Sequence, residues 1–114
     1  MLTITSRTQG DALIIDLEGK IDGSSESQQV LSSIKESLAQ KPSRLLLNLE
    51  HVEWINSLGV GYLVAAFVSA RNQGTSLRLF GVPSRVGAVL QTCGVSPNII
   101  GVFANEEAAL QDRS

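Results

Sequence analysis

Polar and apolar residues alternate at the start of the chain. Leu2 and Ile4 are interleaved with Thr3 and Thr5, and Gln9-Gly10-Asp11 then offers a turn. Leu13, Ile15 and Leu17 follow, set against Ile14, Asp16 and Glu18. A period of two on both sides of a turn predicts an antiparallel hairpin with one face on a core. The period then changes. Ser25-Glu26-Ser27-Gln28 has the spacing of a capping box, and Val30, Leu31, Ile34 and Leu38 make a helical stripe that Lys41-Pro42 ends. Arg44 to Leu49 is a near-continuous apolar run, the mark of a strand covered on both faces. Glu50-His51-Val52-Glu53 reads as a polar turn. From Leu58 to Ala70 nearly every residue is apolar or small, which predicts a buried helix stopped at Asn72-Gln73-Gly74. Leu77 to Val82 predicts another strand, and Pro83-Ser84 opens a helix with Val86, Val89, Leu90 and Cys93 on one face and Gly94 at its end. Ile99 to Phe103 is the last strand. Asn105 caps a short helix with Glu106 and Glu107 in its first turn, and 111–114 is expected to fray.

A hairpin followed by alternating helix and strand predicts an α/β fold, a mixed sheet of about five strands with about four helices and with its later strands parallel. At 114 residues the expectation is one domain over 1–114. Aromatic residues make up only 4%, so the core has to be aliphatic.

Charge and composition then remove whole classes of function. A net charge of -2 with scattered Lys and Arg supplies no basic face for a phosphate backbone, so no nucleic-acid partner is expected. The longest apolar stretch, Leu58 to Val68, is short of the roughly 20 residues of a membrane span. No secretory leader is read at the N-terminus, and a cytoplasmic location is expected. Cys93 is the only cysteine, which rules out an internal disulfide and a thiolate cluster, and it reads as a buried thiol. His51 is the only histidine and reads as a surface residue, with no partner for a catalytic dyad. Gly59-Val60-Gly61 lacks the third glycine of a dinucleotide loop, and no Gly-Lys-Ser or Gly-Lys-Thr occurs. No catalytic residue, metal site or cofactor is assigned. The chain is not expected to be an enzyme.

What remains is the junction Trp54-Ile55-Asn56-Ser57-Leu58-Gly59-Val60-Gly61, where an apolar strand runs into the apolar helix. Unpaired N–H groups and the positive end of the helix dipole meet there, a place suited to negative charge. Asn56 or Ser57 can serve as a simple cap, and Ser57 can also accept phosphate. Gly59 and Gly61 permit close backbone approach, whether from this chain or from a partner.

Strand, Asn56-Ser57-Leu58-Gly59-Val60-Gly61 and helix together resemble the signature of the STAS-domain anti-sigma-factor antagonists, Asp-Ser-Ser-Gly-Leu-Gly or close to it. The resemblance extends to Leu17-Glu18-Gly19-Lys20-Ile21-Asp22 and to the final strand and helix. The two glycines set the register, so Ser57 falls on the family's phosphorylated serine. The resemblance implies a STAS-like fold and a protein that, unphosphorylated, binds an anti-sigma factor with serine kinase activity and frees a sigma factor. Phosphorylation of Ser57 would end that binding and a serine phosphatase would restore it. ATP and Mg²⁺ in this scheme belong to the kinase. The partner-binding residues implied are Asp22, Asn56, Ser57, Leu58 and Gly59. Read without the resemblance, Asp22 is a turn residue ahead of the Ser24-Ser25 cap.

Two positions depart from the family pattern. Asn56 stands where Asp is usual and removes one negative charge beside the acceptor. Leu58 replaces a small, usually hydroxyl residue, and is either an apolar anchor for a partner or a staple into the core. Two other functions stay open on the same fold. One is an adaptor that is never phosphorylated and docks on a transporter or signalling complex. The other is a sensor of a nucleotide or lipid, against which the low aromatic content weighs.

Overall fold

The computed structural model describes residues 2–96 and 98–112. One five-stranded sheet holds β1 (Leu2–Gln9), β2 (Ala12–Ile21), β3 (Arg44–Ile55), β4 (Ser76–Phe80) and β5 (Val102–Phe103), in that spatial order. β1 runs antiparallel to β2, and every later pairing is parallel. The helices are α1 (Ser25–Leu38), α2 (Ser57–Asn72), α3 (Ser84–Thr92) and α4 (Glu106–Gln111). The mixed α/β architecture expected from the sequence is therefore present.

The core forms on both faces of the sheet. On one, Ile15, Leu17, Leu45, Leu47 and Leu79 pack with Val30, Ile34, Leu38, Leu63 and Ala66 of α1 and α2 and with Val86 and Leu90 of α3. On the other, Ile14, Leu46 and Phe80 pack with Ala109 of α4. This explains why Arg44–Leu49 reads as nearly continuously apolar: Leu45, Leu47 and Leu49 enter one apolar layer and Leu46 the other.

Several element boundaries differ from expectation. Glu50–Glu53 is not a turn but part of β3, because β2 is long enough to supply partners: Glu18 lies opposite His51, Gly19 opposite Val52 and Lys20 opposite Trp54. The register slips twice along this stretch, so β3 keeps Val52 and Ile55 in the core while His51, Glu53 and Trp54 remain exposed. The cap of α1 is Ser24, not Ser25. Its hydroxyl oxygen accepts from the Ser27 N–H, so the expected box with Gln28 does not form. The last strand shrinks to Val102–Phe103, since the Ile99 and Ile100 N–H groups turn back to the Ser96 carbonyl.

Cys93 is exposed, a correction to its reading as a buried thiol. α3 stops at Thr92 in a Schellman motif: Gly94 takes φ +85°, and the Val95 N–H reaches the Leu90 carbonyl at 2.8 Å. That reversal puts Val95, not Cys93, into the core.

α4 has six residues, too few to hold a helix by itself, and arginines from the sheet fasten it. Arg7 of β1 bonds Asp16 of β2 (2.7 Å) and Glu106 of α4. Arg44 of β3 donates to the Leu110 carbonyl (2.7 Å) and to Asp11 (2.6 Å). Arg7 holds the Asp16 carboxyl below the usual carboxylate range, with the Asn48 amide adding to the effect and partial burial opposing it. A carboxyl depressed in the folded state contributes stability above its unfolded pKa of about 3.9 and loses it as pH falls through the lower folded value. Arg7→Met is therefore expected to cost roughly 0.5–1 kcal/mol at pH 7, a modest figure because the arginine is 39% exposed. Urea titrations should show this difference shrinking below about pH 4. A difference unchanged from pH 7 to pH 3 would mean the ion pair contributes nothing.

Candidate functional site

The site grows from the end of β2, the end of β3 and the first turn of α2. Asn56 leaves β3 with extended backbone and caps α2: its Oδ1 accepts from the Gly59 N–H at 3.0 Å, and its carbonyl accepts from Val60 at 2.9 Å. Its own N–H reaches back to the Ile21 carbonyl at 3.3 Å. Asn56 thus ties the helix to the end of β2.

Because the cap falls to Asn56, Ser57 is the first helical residue and its side chain is exposed. No acidic residue occupies the first turn of α2, so the helix itself supplies no countercharge to the positive end of its dipole. Leu58 follows at 62% exposure, its Cδ1 lying against Gly23 so closely that a Cβ at Gly23 would collide with it. Leu58 is therefore mostly presented to solvent while it rests on the β2–α1 loop.

Gly59 is buried, and a Cβ there would strike the Ile21 carbonyl oxygen and sit 2.8 Å from Ile55 Cγ1. Close approach explains this glycine, and the approaching backbone is this chain's own. Gly61 differs: it is exposed, and a Cβ would meet nothing within 4 Å.

Asp22 lies in the loop beneath Leu58. Its Oδ1 accepts from the Ser24 N–H (2.9 Å) and the Ser27 hydroxyl (3.1 Å), while its own N–H donates to Ser27 Oγ (2.8 Å). Hydrogen bonding to the Ser24 side chain, and then to the Ser24 N–H and the Ser27 hydroxyl, holds this carboxyl below its ordinary range. Asp22 thus shapes the loop on which Leu58 rests. The structure brings Asp22, Asn56, Ser57, Leu58 and Gly59 to one end of the parallel strands. Sequence reasoning missed Gly23 as the seat of Leu58 and Trp54 as an exposed neighbour at 46%. The one signal for Gly23 was its lack of a side chain in the loop.

Among the described residues no group of His, Cys, Asp and Glu could hold a metal ion. No helix among the described residues is long and apolar enough to cross a membrane. A half-open, mostly apolar groove of about 320 Å³ lies alongside α3, with Val82, Leu90, Val95 and Val102 in its wall beside the polar Ser84 and Gln91. The inward residues of α2, Leu63, Ala66 and Ala70, are packed into the core.

The fold has close structural counterparts. An anti-sigma factor antagonist from Mycobacterium paratuberculosis superposes with a TM-score of 0.85 at 16% identity, covering 96% of this chain and 92% of that one. The unphosphorylated form of the anti-sigma factor antagonist SpoIIAA gives 0.77 at 20% identity, with 95% and 93% covered. A sulfate transporter family protein from Wolinella succinogenes gives 0.73 at 24% identity, with 88% and 82% covered. At these identities the likeness is one of fold. The STAS domain family, described as such, matches residues 3–109, and with its five-stranded mixed sheet and four helices the chain belongs to that family.

Proposed function

We propose that this STAS domain is an anti-sigma-factor antagonist switched by phosphorylation of Ser57. The observation that carries the reading is the division of labour at α2: Asn56 caps the helix, and the exposed Ser57 is left at its positive end. A phosphate there gains favourable interaction with the helix terminus, so the fold tolerates it. The neighbouring surface, apolar Leu58 over Gly23, would then carry close to two added negative charges. A partner packed on that surface in the unmodified state would face desolvation and repulsion, and release.

On this reading the partner is an anti-sigma factor with serine kinase activity, which supplies ATP and Mg²⁺, and a serine phosphatase resets the switch. Asp22 and Asn56 set the loop and helix entrance, Leu58 is the apolar contact, and Gly59 lets the helix sit close to β2. The chain receives a phosphoryl group and catalyses nothing. It works in the cytoplasm, with the transcription machinery.

Intact-mass measurement of the protein from its native cells tests the switch. A fraction carrying a single phosphate, mapped to Ser57 and absent in Ser57→Ala, is the expected result. Phosphate on another residue, or none under any growth condition, would overturn the switch and favour a constitutive adaptor.

A further inference from the structure

β1 is the outermost strand of the sheet, and its outer edge pairs with no strand among the described residues. Such edges are ordinarily blocked by lysine, proline, a bulge or extreme shortness, since their free N–H and C=O groups invite another strand. β1 carries none of these devices. It spans eight residues in unbroken register with β2, without Pro or Lys. Its one charge, Arg7, is drawn across the open face to Asp16 and Glu106. The opposite edge, β5, has only two residues and is blocked by its shortness.

The core layer also ends unfinished at this edge. Leu2 and Ile4 pack against the main cluster but remain only partly buried. The outward residues are Thr3, Thr5, Arg7 and Gln9. The threonines suit cross-strand pairing, and the one charge, on Arg7, is already engaged by Asp16 and Glu106, so it does not select an acidic peptide.

We infer that β1 pairs antiparallel with β1 of a second copy of this chain, about a two-fold axis at Thr5. Symmetry restricts the register. A two-fold relating two antiparallel edge strands stands perpendicular to the sheet, so both core layers lie on the same side. Residues on the core face, Leu2, Ile4, Ser6 and Thr8, must then pair among themselves. Centring on Thr5 sets Leu2 opposite Thr8, Ile4 opposite Ser6 and Thr3 opposite Arg7, so no like charges meet and both partly buried apolar residues are covered. Centring on Ser6 covers as many residues but leaves Leu2 outside. The contact is isologous and consumes the long edge of both copies. Only the two-residue β5 edges remain at the ends of the joined sheet, so assembly stops at the dimer. The inference is independent of any role for Ser57.

Sedimentation of the purified chain is expected to show a species of twice 12.2 kDa that grows with concentration. Thr5→Lys, which sets two ammonium groups face to face at the axis while placing lysine beside Asp16 of its own β2, should give a folded monomer. In a Cys93→Ser background, Thr5→Cys should cross-link as a dimer under copper-phenanthroline, because directly opposed Cα atoms lie about 4.5–5.5 Å apart, within disulfide reach. Ser6→Cys should not, its two copies being offset by two residues, or about 7 Å along the strand. A monomer at 100 µM (about the concentration of a routine run) with no cross-linking, a dimer that survives Thr5→Lys, or cross-linking through Ser6→Cys instead would each overturn the pairing.

Discussion

Ser57→Asp is expected to abolish most of the affinity for an anti-sigma factor while leaving the melting temperature almost unchanged. The two halves of this result have separate causes. Ser57 is exposed in the first turn of α2, and no acidic residue already occupies that turn. A carboxylate there is worth roughly 0.3–1 kcal/mol of favourable interaction with the helix terminus, so the fold gains or is indifferent. A partner seated over Leu58 has to desolvate that charge, and an affinity loss of tenfold or more, about 1.4 kcal/mol, is expected at low salt. Repulsion between charges is screened by salt and apolar contact is not, so the Ser57→Asp penalty should shrink between about 0.05 and 0.5 M NaCl. Leu58→Ala provides the contrast. It should cost about 1–2 kcal/mol of binding at either salt concentration. Its effect on stability should be small, because the side chain is 62% exposed despite its contact with Gly23. Ser57→Ala should bind like the wild type and ignore the kinase. Calorimetric titration of the four proteins separates these effects, and equal affinity for wild type and Ser57→Asp would remove Ser57 from the interface.

The second large effect is a pair of glycine substitutions, two residues apart, with opposite signs. Gly→Ala inside a helix ordinarily gains about 1 kcal/mol from propensity. At Gly61 nothing opposes that gain, since the space around a new Cβ is open to 4 Å. Gly61→Ala should therefore stabilise by up to about 1 kcal/mol. At Gly59 the same methyl meets the Ile21 carbonyl oxygen, a backbone atom of β2, and Ile55 Cγ1 at 2.8 Å. Neither is the free end of a flexible chain, and α2 cannot withdraw without stretching the Asn56–Ile21 bond. Overpacking of this kind costs about 1–3 kcal/mol. Gly59→Ala should lower the urea midpoint and Gly59→Val should lower it further. Two midpoints moving together in either direction would show that close approach at Gly59 is not what distinguishes these positions.

The order and type of the elements were legible in the sequence because they rest on local periods. Val30, Ile34 and Leu38 share a helix face wherever the helix docks, and Leu45, Leu46, Leu47 and Leu49 make a near-continuous apolar run because both faces of β3 are covered there. The junction at Ser57 was legible for the same reason: a strand period gives way to a helical one, so a helix N-terminus has to lie there. What the sequence left open were choices between chemically equivalent neighbours. Asn56 and Ser57 can both cap α2, as Ser24 and Ser25 can both cap α1. The chain takes Asn56 because its extended backbone also lets its N–H reach Ile21, and Ser24 because Ser27 is already held to Asp22. Other features depend on what lies across from a residue. Glu50 to Glu53 is strand only because β2 runs alongside it, and Cys93 is exposed because Val95 folds back into its place. The difference between Gly59 and Gly61 is set by the Ile21 carbonyl, and α4 is held by Arg7 and Arg44 from distant strands. Periodicity encodes which face of an element is apolar. Only tertiary structure decides which atoms from elsewhere in the chain come within bonding or clashing distance of that face.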